Sequence, residues 1–296
     1  MPPPAAPYER VVLVYNPHSS GGAAERARGL AGELGDRAPH LLVSLVPTEY
    51  AGHARVIAAD AARRGGALVV SVSGDGGYHE VVAGAMEVGG GRRTAVPVAV
   101  AAAGNANDHR RATRRRPLGE AIATGDVDHL DLLRVCIGHQ PPRFAHSYLG
   151  VGITPTVAVE LEKGRKGSVR EIVTTVREFA RFRPFEIVLE SGERQRFDSL
   201  VLANVDGMAK YARLSDGDPA DGRFEVVTIA HQGRLSLLRT AVRAAVRGLG
   251  SQPHVERYAF RTTTPTPLQL DGEVVELDAD RSVVVEIAPK ALATVR

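Results

Sequence analysis

Short, almost wholly apolar runs alternate with amphipathic stretches along the first hundred residues. Residues 10–15 (RVVLVY), 41–46, 67–72 and 97–102 read as strands, and 23–34, 53–64 and 78–87 as the helices between them. Strands that stay apolar at nearly every position are covered on both faces, as the strands of a parallel sheet are. From about residue 127 the pattern changes. Strands are expected at 130–137, 143–149, 185–189, 199–204, 223–229, 258–263, 268–270, 273–277 and 282–287, with helices inserted only at 168–182 and 235–248. That is the rhythm of an antiparallel β domain. The fold class is therefore α/β with two domains. A doubly wound, Rossmann-like domain spans 1–127, with 288–296 its candidate completing segment, and an antiparallel β-sandwich spans 128–287.

Composition adds limits. A length of 296 residues suits two domains, and 44% apolar residues suffice for their cores. There is no Trp and only 5% aromatic residues, so Ala, Val and Leu carry the packing. The single Cys136 forms no internal disulfide, which fits a reducing, cytoplasmic compartment. The opening MPPPAAPYER lacks the charged start and apolar stretch of a signal peptide. No apolar run reaches the ~20 residues of a membrane span. Any lipid would be met peripherally, at the inner membrane surface.

Charge is uninformative in total (+3) but not in kind, since all but four of the 37 basic residues are Arg. Arg clusters at 110–116 and 165–183 read either as solvated surface or as contacts to anionic headgroups or substrate phosphate. Nucleic acid is not an expected partner: no recognition motif is present and few aromatics are available for stacking bases.

Candidate chemistry sits in loops. Ser73-Gly74-Asp75-Gly76-Gly77 lies between a strand and a helix. Its glycines let backbone N–H groups approach a phosphate, and the following helix offers its positive end to the same anion. A tight strand-to-helix turn without ligand is the competing reading. The loop is neither a P-loop nor G-x-G-x-x-G. Asn16-Pro17-His18-Ser19-Ser20-Gly21-Gly22 makes a second anion-accepting edge, or a helix cap. Gly104-Asn105-Ala106-Asn107-Asp108 offers Asn107 and Asp108 to a nucleotide or polar substrate, or to a cap. All three follow strands, where open α/β sheets bind ligands. In the second half, Asp218 and Asp221 lie on a D-x-x-D-G turn that suits a hard cation or is a plain acidic turn. Asp271-Gly272-Glu273 pairs two carboxylates expected to leave the chain in similar directions, for metal binding and proton abstraction. In isolation D-G reads as a hairpin turn.

In order, these segments resemble the diacylglycerol kinase and sphingosine kinase family, including its bacterial lipid kinases. Asn16-Pro17 with Gly21-Gly22 resembles N-P-x-[SA]-G-x-G. Thr48-Glu49 with Gly52-His53-Ala54 resembles T-x-x-x-G-H-A. Ser73 to Gly84 resembles G-G-D-G-T-x-x-E-V-x-N-G, in a Ser-first, His-Glu form nearer sphingosine kinases. Gly104 to Asp108 resembles G-T-x-N-D, and the acidic turn and D-G-E have counterparts. The departures are Gly77 and Asn105 for Thr, Ala83 for Asn, and a Gly150–Thr154 segment without its acidic residue.

The resemblance implies a nucleotide-binding α/β domain joined to a substrate-binding β-sandwich, with ATP and Mg²⁺ as cofactors. It implies nucleotide contacts from Asn16, Thr48, Ser73, Gly74, Gly76, Gly77 and the Gly104–Asp108 loop. It gives catalytic roles to Asp75, Glu80, Asp271 and Glu273, and a structural metal to Asp218, Asp221 and the carbonyl of Arg223. The expected reaction is γ-phosphoryl transfer from ATP to a lipid hydroxyl, with Asp75 or Asp271 as base and Mg²⁺ held by Asp271 or Glu273. The alternatives are a same-fold kinase for a soluble hydroxylated metabolite and a catalytically silent nucleotide- or lipid-binding regulator. Edge strands of the β domain make a homodimer a further candidate.

Overall fold

The computed structural model describes residues 7–19, 21–104, 107–152, 184–205, 207–208, 212–213, 218–231 and 252–296. The helices expected over 168–182 and 235–248, the Arg run 165–183, Asn105 and residues 153–154 lie outside the described residues. The chain divides into two compact units, Met1–Leu132 with Ala288–Arg296, and Leu133–Ile287.

The first unit is built on four parallel strands: β1 (Arg10–Tyr15), β2 (Leu42–Pro47), β3 (Ala67–Ser73) and β4 (Val98–Ala102), in the order β2-β1-β3-β4. The β1 and β3 cores are buried at every interior position, as their unbroken apolar runs require. Helix α1 (Ala23–Arg37) follows β1, α2 (His53–Arg64) follows β2, and α3 (Asp75–Val88) follows β3. Two short helices, α4 (Asp108–Thr113) and α5 (Leu118–Thr124), follow β4. One face of the sheet shares a core with α1 and α5 through Val11, Leu13, Leu34, Leu68, Val70 and Ile122. Helices α2 and α3 pack on each other and against β3. The chain runs from β1 outward to β2, then back across β1 to β3. The carboxyl ends of β1 and β3 therefore flank the topological switch point, the usual ligand position in such sheets.

The C-terminal residues belong to this unit. Thr94 N–H donates to the Ala291 carbonyl (2.8 Å), Ala293 N–H to Thr94 Oγ1 (3.0 Å), and Arg296 pairs with Asp128 (2.8 Å).

The second unit is antiparallel. Its strands are β5 (Asp128–Ile137), β6 (Arg143–Ala145), β7 (Tyr148–Gly152), β8 (Phe185–Leu189), β9 (Arg194–Ala203), β10 (Gly207–Met208), β11 (Ala212–Arg213), β12 (Phe224–Ala230), β13 (His254–Val255), β14 (Arg257–Thr262), β15 (Thr266–Leu270), β16 (Glu273–Leu277) and β17 (Ser282–Thr294). The unit boundary falls inside β5 and β17. The main sheet runs β16-β15-β7-β9-β8-β14-β17-β5-β6, with β12 on β9. Leu277 from one end of that order and Ala145 from the other share one core with Leu133, Phe197, Phe224 and Phe260. A sheet whose two ends meet one core must fold over it in two layers.

The single strand expected over 143–149 is split into β6 and β7. The intervening N–H groups of His146 and Ser147, and that of Tyr148 at the start of β7, turn to the Asp271 carboxylate. Helices α4 and α5 were not expected: α4 lies in the Arg run, which carries no apolar period, and α5 is only seven residues long. Among the described residues, no helix is long and apolar enough to cross a membrane.

Candidate functional site

Four loops leave the carboxyl ends of β1 to β4, and contacts between them define the site. Gly21 lies against the start of the β4 loop: a Cβ there would meet the Ala103 carbonyl oxygen at 1.9 Å. Gly74 and Gly104 touch backbone to backbone, a Cβ on Gly104 falling 2.5 Å from the Gly74 Cα. These glycines are required by the loops' mutual approach, whatever ligand they serve.

Carboxylates complete the ties. Asp75 accepts the N–H groups of Asp108 (3.2 Å) and His109 (3.4 Å), so it caps α4 from the neighbouring loop. Glu80 accepts the Gly52 N–H (3.2 Å), holding the loop before α2 against α3. Asn16 closes its own turn through the His18 N–H (2.9 Å). Thr48 N–H donates to the Tyr15 carbonyl (2.8 Å). Asn107 takes a left-handed conformation (φ 53°) and brackets Gly104 with both ends of its amide.

The Ser73–Gly77 segment differs from its expected form. Helix α3 begins at Asp75 rather than Tyr78, with Gly74 as N-cap and no side chain capping it. Three residues read as loop are thus the first helical turn. The N–H groups of that turn have no preceding helical turn whose carbonyls they could bond. Gly77 has its own reason: a Cβ there would lie 2.6 Å from Ser73 Oγ. The Ser73 hydroxyl donates to the Gly74 carbonyl (2.8 Å) and shares a hydrogen bond with Ser71 (2.7 Å), filling the space that a larger residue 77 would take. Gly76 has no such reason. It is exposed, helical, and no atom lies within 4 Å of where its Cβ would be.

The second unit treats its acidic motifs otherwise. Asp271 (φ 47°) and Gly272 (φ 100°) form the two-residue turn between β15 and β16, with Leu270 opposite Glu273. Asp271 is buried and accepts three N–H groups, from His146 (2.7 Å), Ser147 (2.9 Å) and Tyr148 (3.1 Å). Glu273 points away into solvent and pairs with Arg143 (2.8 Å). The two carboxylates expected to leave the chain together therefore diverge, because both turn residues have positive φ. In the 218–223 turn, Asp218 Oδ1 accepts the Ala220 N–H (3.1 Å) and Asp221 Oδ1 the Arg223 N–H (2.9 Å), and both side chains are exposed.

The model of the diacylglycerol kinase catalytic domain matches residues 10–135. Residues 10–135 are thus similar to the catalytic domain of that family. No curated protein matches the chain in sequence. Among solved structures, one from Bacillus anthracis str. Sterne, provisionally named a diacylglycerol kinase, superposes with a TM-score of 0.72 at 15% identity, covering 97% of each chain. A second, described as a diacylglycerol kinase from the same organism, gives 0.68 at 13% identity, again over 97% of each. At these identities the likeness is one of fold, and it extends through both units. The diacylglycerol kinase catalytic segment holds all four loops, including Asp75, Glu80 and the open Gly76. Asp218, Asp221, Arg223, Asp271 and Glu273 lie outside it. The partners of Asp271 escaped sequence reading because they are backbone groups more than a hundred residues away, which no motif records.

Proposed function

We propose that the chain is an ATP-dependent kinase that transfers the γ-phosphoryl group to the hydroxyl of a lipid. The observation that carries this reading is the α3 N-terminus beside Gly76. Two contacts, Gly21 on Ala103 and Gly74 on Gly104, draw the loops together, and Gly76 alone among Gly21, Gly74, Gly76, Gly77 and Gly104 has empty space where its Cβ would be. An uncapped helix N-terminus with an open glycine fits a phosphate chain. The similarity of residues 10–135 to the diacylglycerol kinase catalytic domain supports the choice of reaction.

In this reading, N–H groups of Asp75, Gly76 and Gly77 hold the phosphates, and Asn16, Thr48 and the Gly104–Asp108 loop frame the rest of the nucleotide. Mg²⁺, when bound, supplies neutralising charge on the phosphates. Asp75 would hold it at the phosphates, while Asp218, Asp221 and the Arg223 carbonyl would hold a second, structural ion. Asp75 orients the acceptor hydroxyl and takes its proton. Asp271, with three N–H donors on its oxygens, holds the 146–148 turn in shape. Glu80 positions the Thr48 loop through Gly52.

The test is an ATP-consumption screen against diacylglycerol, sphingosine, phosphatidylinositol and short soluble alcohols. Turnover with a lipid in vesicles and not with the soluble alcohols is the expected result. Turnover with a soluble alcohol alone would move the substrate class, and no thermal stabilisation by ATP with Mg²⁺ would end the kinase reading.

A further inference from the structure

Among the described residues, β2 is an outer strand of the first unit's sheet and pairs only with β1. An open strand edge is a template for another strand, and proteins blunt it with charges, bulges, shortness or a cover. The other outer strands follow that rule. β4 is buried, β6 is three residues long, and β16 carries Glu273 and Glu276. β2 (LVSLVP) has no charge, and its register with β1 runs without a bulge. Helix α1 covers it from one side, while on the other α2 packs on α3, β3 and β1. Leu42 is 69% exposed and Leu45 41%. Tyr50 and Val56 are exposed as well, so four of the five exposed large apolar residues among those described fall between residues 42 and 56. Clustered exposure of this kind marks an interaction surface. The edge itself can be read residue by residue. Leu42 donates its N–H to the Glu9 carbonyl (2.9 Å) and Thr48 to the Tyr15 carbonyl (2.8 Å), so the even-numbered residues face β1. By the two-residue period of a strand, Val43 and Leu45 turn their N–H and C=O groups outward, and Pro47 has no N–H to offer.

We propose that β2 is the contact between two copies of this chain, paired antiparallel about a twofold axis at Ser44. In that register Val43 and Leu45 exchange both N–H···O bonds with Leu45 and Val43 of the other copy, which uses every outward donor of the strand. Leu42 lies opposite Val46, so apolar residues meet apolar residues on both faces. Ser44 lies opposite itself. Just outside the strand, each exposed Glu49 comes beside the exposed His40 of the other copy, acid against base. A parallel pairing would set like against like. The outward backbone groups favour a strand over a bilayer as the occupant, because hydrocarbon offers them no hydrogen bonds. Twofold pairing closes on itself, so assembly stops at the dimer.

Sedimentation velocity of the full chain over about 1 to 100 µM, the range of a small interface, tests it. A monomer–dimer equilibrium is expected. Ser44 is exposed and its hydroxyl makes one long bond, to the Val11 carbonyl (3.5 Å), so the fold tolerates other side chains there. Ser44→Glu and Ser44→Lys each set two like charges face to face and should weaken the dimer about fivefold. An equimolar mixture of the two sets Glu against Lys and should dimerise at least as tightly as the unaltered chain, which misfolded variants could not do. Val274→Lys, at an exposed position on β16, should leave the equilibrium unchanged. Monomer at every concentration overturns the proposal, as does a dimer kept in full by both Ser44 variants or weakened equally by Val274→Lys. A mixture no tighter than its components overturns the antiparallel register. If the chain stays monomeric and sediments with phosphatidylglycerol vesicles, and Leu42→Asp abolishes that, the exposed residues serve a membrane instead.

Discussion

The dipeptide Asp-Gly occurs at 75–76 and again at 271–272, and the two units use it in opposite ways. In the parallel unit it opens a helix; in the antiparallel unit it closes a hairpin. Both aspartates accept backbone N–H groups from a distant segment. Asp271 is sealed in, with three bonds of 2.7 to 3.1 Å, whereas Asp75 is partly exposed, with two long bonds of 3.2 and 3.4 Å. A buried carboxylate with three short donors is suited to holding a turn in shape. A partly exposed one with longer bonds, beside an uncapped helix end, is suited to meeting a ligand. The motif alone does not separate these roles; the supply of orphan N–H groups around it does.

The sharpest way to break the comparison is to remove each carboxylate. Asp271→Ala strands three buried donors, and unfolding in urea should show a loss of about 4 kcal/mol, from roughly 1–3 kcal/mol per unsatisfied group. Asp75→Asn should cost about 1 kcal/mol of stability, because the amide oxygen still caps α4. Its ATP turnover should nevertheless fall about 100-fold, the usual scale for a lost general base. Should Asp271→Asn fold normally and lose more turnover than Asp75→Asn, the assignment of roles is reversed.

The alternation of apolar runs in the first hundred residues marked β1, β3 and their helices to within a few residues. A strand buried on both faces leaves no ambiguity of period. The antiparallel strands were found with blurred ends. β9 begins at Arg194 rather than near Ser199, since its first residues are polar and solvated, and β17 runs on past Ile287 into the first unit's segment. At the site, the loops were legible as glycine-rich strand ends. The reasons for their glycines were not, because Gly74 answers to Gly104 and Gly21 to Ala103, contacts thirty to eighty residues apart in sequence. Arg110 was visible only as one member of a basic run; its burial comes from α4, a helix with no apolar period to announce it.

A smaller effect probes Gly77, where the family pattern has Thr. Its Cβ would strike Ser73 Oγ at 2.6 Å and Ser73 Cβ at 2.7 Å, so Gly77→Ala should destabilise by about 2 kcal/mol through overpacking. Ser73→Gly removes the obstruction but takes a partner from the buried Ser71 hydroxyl. In the double variant the two changes should couple favourably by about 1 kcal/mol. Strict additivity in a denaturation cycle would show that the small residue at 77 is not explained by Ser73.

The smallest change in stability belongs to Gly76→Ala, and it has the opposite sign. Gly76 is helical, exposed and unobstructed, so a methyl group there meets no atom and reduces the freedom of the unfolded chain. The apo protein should gain about 0.5–1 kcal/mol, a rise in melting temperature of a few degrees at most. That same methyl group projects where a phosphate would approach the α3 N-terminus. Stabilisation by ATP with Mg²⁺ should therefore shrink or vanish in a protein that is otherwise more robust. Opposite movement of the two readouts is what separates a glycine kept for a ligand from one kept for a turn. Gly104, whose Cβ would lie 2.5 Å from Gly74, must lose stability and binding together. If Gly76→Ala binds ATP undiminished, the first turn of α3 is not where the phosphates sit, and the contrast between the two Asp-Gly pairs becomes one of architecture alone.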